Sequence, residues 1–339
     1  MDRSVVTVFG GSGFVGRHLV QRLAKKGYVV RVAVRDTESA MFLKPMGNVG
    51  QIVPVQVDIT DDSAVRGAVA GAHAVVNLVG ILFQRRKGQF DAIHHQAAGR
   101  IARLAKEAGV ARYVHMSALG ADPDSKAEYA RTKARGEKAV LEAFPEAMIT
   151  RPSVVFGAED QFFNRFAAMA TISPVLPVVV PEVPRAKRGG GWLPSLDLFS
   201  GGGPKFQPVY VGDVADAIMR GVDRDVPQRE TAGQVFELGG PEVMTMKRVM
   251  EFVLETTWRK ALLMPLPVPV AKVNAFFLEF LPEPPLTRDQ VNLMLTDNVV
   301  GGTLPGFKEL GIEAQAAEGI VPGYLDRFRR PSKVRQLPA

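Results

Sequence analysis

The sequence predicts a doubly wound α/β fold, a parallel sheet with helices on both faces, followed by a smaller α/β lobe. Three observations carry this reading. Runs rich in Val and Ile alternate with helix-period segments from residue 5 to residue 150, a glycine-rich turn closes the first run, and the alternation weakens after Pro152, where proline, glycine and aromatic residues become frequent.

The strand readings are 5–9, 29–34, 52–57, 74–78, 112–117 and 148–150. Their β-branched residues fit a pleated, buried surface. Between them, 14–26, 63–69, 93–107 and 127–144 place apolar residues at three-to-four spacing, so each helix can lay one face on the sheet. Helical crossovers make the successive strands parallel. Further on, 173–208 is dense in Pro and Gly and reads as a long loop. Helices are expected at 211–220, 246–256, 270–280 and 288–295, with strands at 207–210 and 235–238. A chain of 339 residues exceeds what one core holds, so the expected division is a sheet domain over 1–155, completed by strands near 205–240, a smaller lobe over 156–330 and a flexible tail at 331–339.

Composition narrows the function. Hydrophobic residues at 46% and charged residues at 23% describe a packed globular chain. The absence of cysteine excludes disulfides, thiolate metal sites and a cysteine nucleophile, and the five histidines lack metal-ligand spacing, so no metal is expected. A formal charge of +7 favours anionic partners, but the basic residues are dispersed and no nucleic-acid recognition motif accompanies them. No apolar run approaches the roughly 18 residues of a membrane span. The run 5–9 is too short for a signal-peptide core and enters a glycine turn, which favours a cytoplasmic chain.

In TVFGGSGFVGRHLV, Gly10, Gly13 and Gly16 fall between the first strand and the first helix. There the backbone amides and the helix dipole can hold a pyrophosphate, with Ser12, Phe14, Val15 and Arg17 around it. Glycine is needed because the turn is tight, the phosphate approaches the backbone and the helix packs on the strand, so the domain is read as Rossmann-type. After the second strand stands Arg35, where an acidic residue would read unmodified ribose hydroxyls. A guanidinium there pairs a ribose phosphate, which favours NADPH over NADH, with Arg17 as a second cation; the alternative is that Asp36 reads the ribose. Asp58 and Ile59 follow the third strand and suit an adenine contact, and Leu78, Val79 and Gly80 follow the fourth, beside the dinucleotide.

Tyr129 and Lys133 lie four residues apart in EYARTK, on one helix face, and Ser117 ends the preceding strand. The Lys133 ammonium is expected to lower the Tyr129 phenol from about 10 and to orient the ribose. Tyr129 could then exchange a proton as a carbonyl takes hydride, with Ser117 on the carbonyl oxygen. The alternative is a tyrosine merely packed on its helix.

These residues resemble the short-chain dehydrogenase/reductase superfamily in its extended or atypical branch. Downstream, FPEAMITRPSVVFGAEDQFFNRFA, QPVYVGDVADAI, PPLTRDQVNLMLTDNVV and PGFKELGIEA are similar to the dehydrogenase-like accessory subunits of respiratory complex I, the NADH:ubiquinone oxidoreductase, over nearly the whole chain. The resemblance adds Pro152, Val154 and Val155 to the dinucleotide contacts. It implies a tightly held NADPH, a role in assembly or stability without turnover, and other complex I subunits as partners where the hydrophilic and membrane arms meet. It places a bacterial chain peripherally on the cytoplasmic face of the inner membrane, or on the matrix side in a mitochondrion. Two departures stand out: His94 in IHHQAA occupies the place where active reductases commonly carry Asn, and the loop 181–203 is long for the family. The rival functions are an independent NADPH-dependent reductase or epimerase acting on a carbonyl, quinone or nucleotide sugar, and a non-catalytic NADP sensor.

An anionic lipid surface is a further candidate partner. The loop 181–203 joins Arg185, Lys187 and Arg188 to Trp192, Leu193, Leu196, Leu198 and Phe199, and 268–281 adds Phe276, Phe277 and Phe280, which read either as a membrane anchor or as core.

Overall fold

The computed structural model describes residues 4–181, 185–187 and 195–330, and the chain forms two units. The first unit comprises Met1–Ser153, Val209–Gly239 and Val299–Ala314; the second comprises Val154–Pro208, Gly240–Asn298 and Gln315–Ala339. The chain opens with β1 (Val5–Phe9), α1 (Phe14–Lys25), β2 (Val29–Val34), β3 (Ile52–Gln56), α2 (Asp62–Val69) and β4 (Ala74–Asn77). It continues with α3 (Ala97–Glu107), β5 (Arg112–Met116), α4 (Glu128–Ala143) and β6 (Met148–Pro152). Then come β7 (Val155–Phe156), α5 (Phe163–Ile172), β8 (Val175–Val180), β9 (Arg185–Lys187), β10 (Ser195–Asp197) and β11 (Lys205–Phe206). The first unit resumes with β12 (Val209–Tyr210), α6 (Val211–Val222) and β13 (Val235–Leu238). The last elements are β14 (Met244–Thr245), α7 (Met246–Thr257), β15 (Leu262–Pro267), α8 (Val268–Leu278), α9 (Arg288–Leu293) and α10 (Ala317–Leu325).

The first unit is built on a seven-stranded sheet in the order β13-β6-β5-β4-β1-β2-β3, and its strand pairs are parallel. Because β1 and β4 are neighbours and the chain winds outward from them in both directions, a crevice opens at their carboxyl ends, where such folds bind ligands. Helices cover both faces, so the central strands β1, β4 and β5 are buried at nearly every position rather than at alternate ones, polar residues such as Thr7, Asn77 and His115 included. On one face Val75, Tyr113 and Ile149 pack against Ile101 and Leu104 of α3, Val140 of α4 and Phe144, which caps α4. On the other face α1 buries Leu19 and Leu23, and α6 is tied to it by an Arg22–Asp216 ion pair at 2.6 Å. The free edge of β3 is blunted: the Val57 amide donates to Val34 on β2, so by the two-residue period position 54 faces outward, and Pro54 has no N–H to offer there.

In the second unit the expected loop at 173–208 is corrected. β8, with sequence VLPVVV, pairs in parallel with β15, and Arg185–Lys187 pairs antiparallel with Ser195–Asp197. Leu176, Val178 and Val180 bury against Phe206, Met246 and Met250, and this burial outweighs the local proline signal. Pro177 is tolerated because the Pro174 carbonyl accepts from Leu262 on β15, so position 177 points away from that strand. Arg188, Trp192 and Leu193 lie outside the described residues, as does 331–339.

Helix α8 buries only a narrow stripe of Val268, Ala271 and Ala275. Phe276, Phe277 and Phe280 are 42%, 65% and 76% exposed, so of their two readings the structure removes the core one. Among the described residues no helix is long and apolar enough to cross a membrane.

Candidate functional site

The glycine turn leaves β1 and enters α1 without room for side chains. Gly10 adopts φ +77°, a left-handed conformation, and a Cβ there would sit 3.2 Å from the Leu78 carbonyl carbon and 3.3 Å from the Val79 amide nitrogen. A Cβ on Gly16 would strike the Gly10 carbonyl oxygen and stand 2.6 Å from Gly11 Cα. The loop therefore has an open floor of backbone beside β4 and the N-terminus of α1. This cradle fits a pyrophosphate. Arg17, in the first turn of α1, stacks over the Phe42 ring at 4.9 Å.

The two candidates for reading the ribose behave differently. Arg35 is exposed and has no ion pair among the described residues. The Asp36 carboxylate instead accepts the Glu38 amide at 3.0 Å, which ties it into the local turn. Asp58 accepts both the amide and the hydroxyl of Thr60, at 2.8 and 2.7 Å, and these bonds hold its carboxyl below the usual range. The Ile59 carbonyl accepts from Arg100 at 3.2 Å. The Val79 amide donates to Asn77 Oδ1 at 3.0 Å, which shapes the turn through Leu78 to Gly80. Pro152 ends β6 in the first unit, whereas Val154 and Val155 belong to the second unit.

Ser117, Tyr129 and Lys133 come together at the carboxyl end of β5 and the start of α4. Lys133 is buried, and its Nζ donates to the Met116 carbonyl at 3.2 Å and lies 3.4 Å from the position a Gly80 Cβ would take. Burial lowers its pKa to about 8, partly offset by Glu137. Glu137 is itself held by Arg151 at 2.6 Å. The Ser117 hydroxyl is 2% exposed and, among the described residues, has no hydrogen-bond partner. The expected lowering of the Tyr129 phenol is corrected: burial pushes it up to about 12. The physical reason is where the ammonium goes, because Lys133 Nζ is spent on the Met116 carbonyl and stands 6.0 Å from the Tyr129 ring centre. The site thus offers hydrogen-bond donors, namely a hydroxyl, a neutral phenol and an ammonium, suited to an oxygen that gains negative charge.

His94 is a departure with a structural role of its own. It lies on a one-turn π-helix, Asp91–Gln96, whose wide turn brings the His94 carbonyl against the Cα of Gly136 on α4. The Ile81 amide donates to His94 Nε2 at 3.1 Å, so Nδ1 carries the proton and donates to Thr132 Oγ1 at 3.1 Å, and Thr132 donates to the Tyr129 carbonyl at 2.9 Å. Burial first, and Lys133 and His115 next, lower the His94 pKa to about 2, so the ring stays neutral. It stacks on Phe90 at 5.3 Å and meets the Tyr129 ring edge-on at 5.2 Å. Thr132 and His115 escaped the sequence reading. Their signal was a polar side chain at a position whose neighbours predict burial.

The described residues hold no cluster of His, Asp or Glu fit for a metal. The residues that could hold a nicotinamide dinucleotide are Gly10, Gly13 and Gly16 at the pyrophosphate and Tyr129 and Lys133 at the nicotinamide ribose, with Arg35 exposed after β2. Such a cofactor supplies hydride chemistry when bound.

The profile of the NAD dependent epimerase/dehydratase family matches residues 6–239. The mitochondrial NADH dehydrogenase (ubiquinone) 1 alpha subcomplex subunit 9 of Arabidopsis thaliana is 36% identical over 96% of this chain and 78% of its own length. The Mus musculus protein of the same description is 32% identical over 93% of this chain and 78% of its own. Among solved structures, the NADPH-dependent quinone oxidoreductase of Escherichia coli complexed with NADPH superposes with a TM-score of 0.66, covering 93% of this chain and 98% of that one. At 19% identity that likeness establishes the fold alone.

Proposed function

The chain belongs to the NAD dependent epimerase/dehydratase family, in the branch of the mitochondrial NADH dehydrogenase alpha subcomplex subunit 9, and from that premise we propose that it is an accessory subunit of a proton-pumping NADH:ubiquinone oxidoreductase that holds NADPH structurally. The observation that carries the assembly reading is similarity to such subunits over 96% of the chain. Its partners are then other complex I subunits at the junction of the hydrophilic and membrane arms. In a bacterium it sits peripherally on the cytoplasmic face of the inner membrane. The exposed Phe276 and Phe277 on α8, with Phe280 two residues beyond its end, support contact with a lipid surface.

NADPH is preferred over NADH because Arg35 is available to a ribose phosphate while Asp36 is engaged by the Glu38 amide. A nucleotide bound only to the folded state stabilises it, by about 2.7 kcal/mol at a hundredfold its Kd. Ser117, Tyr129 and Lys133 serve in this reading as cofactor contacts. The test is gentle solubilisation of native membranes, separation by size, and mass spectrometry. Migration with NADH:ubiquinone oxidoreductase is the expected result, and migration alone overturns the assembly reading. NADPH should be the nucleotide released on denaturation, and NADH in its place would overturn the cofactor assignment.

One observation favours a second reading, an NADPH-dependent reductase of a carbonyl substrate: the buried Ser117 hydroxyl has no hydrogen-bond partner among the described residues and follows directly on Met116, whose carbonyl accepts from the Lys133 ammonium. Substrate-dependent NADPH oxidation by the purified chain, abolished by Tyr129→Phe, would establish it over the structural role.

A further inference from the structure

Behind the Ser/Tyr/Lys group lies a buried histidine that this chemistry does not use. His115 is on β5, 1% exposed, directly across from Asn77 on β4. Asn77 Oδ1 accepts the Val79 amide at 3.0 Å, so the amide nitrogen is the end turned to His115, and Nδ2 stands 3.2 Å from His115 Nδ1. An amide nitrogen only donates; Nδ1 is therefore the acceptor and the ring proton is on Nε2. That Nε2 is buried and has no partner among the described residues. By the two-residue period of β5, the His115 and Ser117 side chains point to the same face as Tyr113, which packs against Phe144 at the end of α4. Between them is Met116, whose carbonyl accepts from Lys133 Nζ. Lys133 thus reaches the strand at a point flanked by two orphaned polar atoms, the His115 Nε2–H and the Ser117 hydroxyl, both more than nine-tenths buried.

We propose that His115 Nε2–H, Lys133 Nζ and Ser117 Oγ together hold one internal water, and that through this water His115 positions the Lys133 ammonium. A single water meets all three groups. The water oxygen accepts from Nε2–H and from Nζ, and one of its protons goes to Ser117 Oγ. Three polar partners are what a buried water requires. The Ser117 hydroxyl proton is then free to point outward, toward any oxygen bound at the site. The same water supplies the ammonium with an acceptor besides the Met116 carbonyl. The charged and titratable groups facing Lys133 are Tyr129 and Glu137 on α4, His94 on the π-helix and His115 on β5, with Glu137 occupied by Arg151 of β6.

The test is a pH titration of the Lys133 side chain by nitrogen-15 NMR on the full-length, nucleotide-free protein, with the signal assigned by its loss in Lys133→Met. His115→Phe removes the donor and leaves a ring; His115→Gln restores a donor without an imidazole. Loss of a hydrogen bond to a charged group should move the Lys133 midpoint down by about one pH unit in His115→Phe, while His115→Gln stays close to the parent. An unmoved midpoint in His115→Phe, or an equal shift in both variants, overturns the proposal. If His115→Phe does not fold, a crystal structure of the parent decides: a water within hydrogen-bond distance of His115 Nε2 and Ser117 Oγ supports it, and none there overturns it. The functional weight of this water rests on the NADPH reading of Lys133. The nucleotide content of the parent protein tests that reading separately, so failure of one is distinguishable from failure of the other.

Discussion

Replacing Gly16 with Ala probes the cradle directly. The added methyl would meet the Gly10 carbonyl oxygen and lie 2.6 Å from both Gly11 Cα and the Gly11 carbonyl carbon, where ordinary contact begins at 3.4 Å. These are backbone atoms, so relief requires α1 to draw back from the loop by roughly 0.8 Å, and overpacking of this kind costs about 1–3 kcal/mol. With no flexible side chain to yield, the upper part of that range is expected. Gly13→Ala meets only the Gly10 oxygen, at 3.2 Å, and should cost less. Gly67→Ala has nothing within 4 Å on α2 and should instead stabilise by about 0.5–1 kcal/mol. Urea denaturation without nucleotide should therefore order the Cm values as Gly67→Ala, parent, Gly13→Ala and Gly16→Ala, from highest to lowest. The displaced α1 amides should also cost Gly16→Ala at least about tenfold in NADPH affinity by calorimetry, given about 1.4 kcal/mol for each factor of ten. A Gly16→Ala protein with parental Cm and parental nucleotide affinity would refute both the steric argument and the placement of the pyrophosphate.

Arg35→Asp should weaken NADPH binding more than NADH binding, as measured by fluorescence titration; equal losses would return the ribose-reading role to another residue. His94 and His115, with pKa values lowered to about 2 and about 3 by burial, stay neutral where the unfolded chain takes up protons, so their contribution to stability is present above 6.5 and is lost as pH falls toward 3. The sensitivity is about 1.4 kcal/mol per pH unit for each ring within that window, and His115→Gln should halve the pair's share in urea denaturation at pH 4.5, 5.5 and 6.5. Phe277→Ser with Phe280→Ser should leave NADPH binding unchanged and reduce sedimentation with anionic liposomes; undiminished sedimentation would remove α8 from the lipid contact.

The elements legible in the sequence were those whose signal is local and repeated. The glycine turn could be read because a strand, a tight turn and a helix each leave their own pattern at fixed spacing, and Tyr129 and Lys133 because four residues on a helix define a face. Three features were not legible, for different reasons. The stretch 93–107 has one continuous apolar pattern, yet its beginning is a π-turn, because the His94 carbonyl seats against Gly136, a contact 42 residues away in the chain that no local period encodes. β8 was hidden by Pro174 and Pro177, whose meaning depends on which side of the strand is paired. The direction of the Tyr129 shift turned on which acceptor takes the Lys133 ammonium, and the Met116 carbonyl that does so is a backbone atom common to every residue.

The first unit is discontinuous, and that sets a timetable. The glycine cradle, Ser117, Tyr129 and Lys133 all precede β6, whereas α6, which covers α1, and β13, which closes the sheet beyond β6, follow the whole of β7 to β11. A chain emerging from the ribosome therefore displays these candidate site residues while one sheet edge is still open and the outer face of α1 is bare. Long-range pairing of this kind is slow and leaves apolar surface exposed in the interim. If the cradle binds the proposed dinucleotide, its supply during translation should raise the yield of folded chain, as cell-free synthesis with and without the nucleotide would measure.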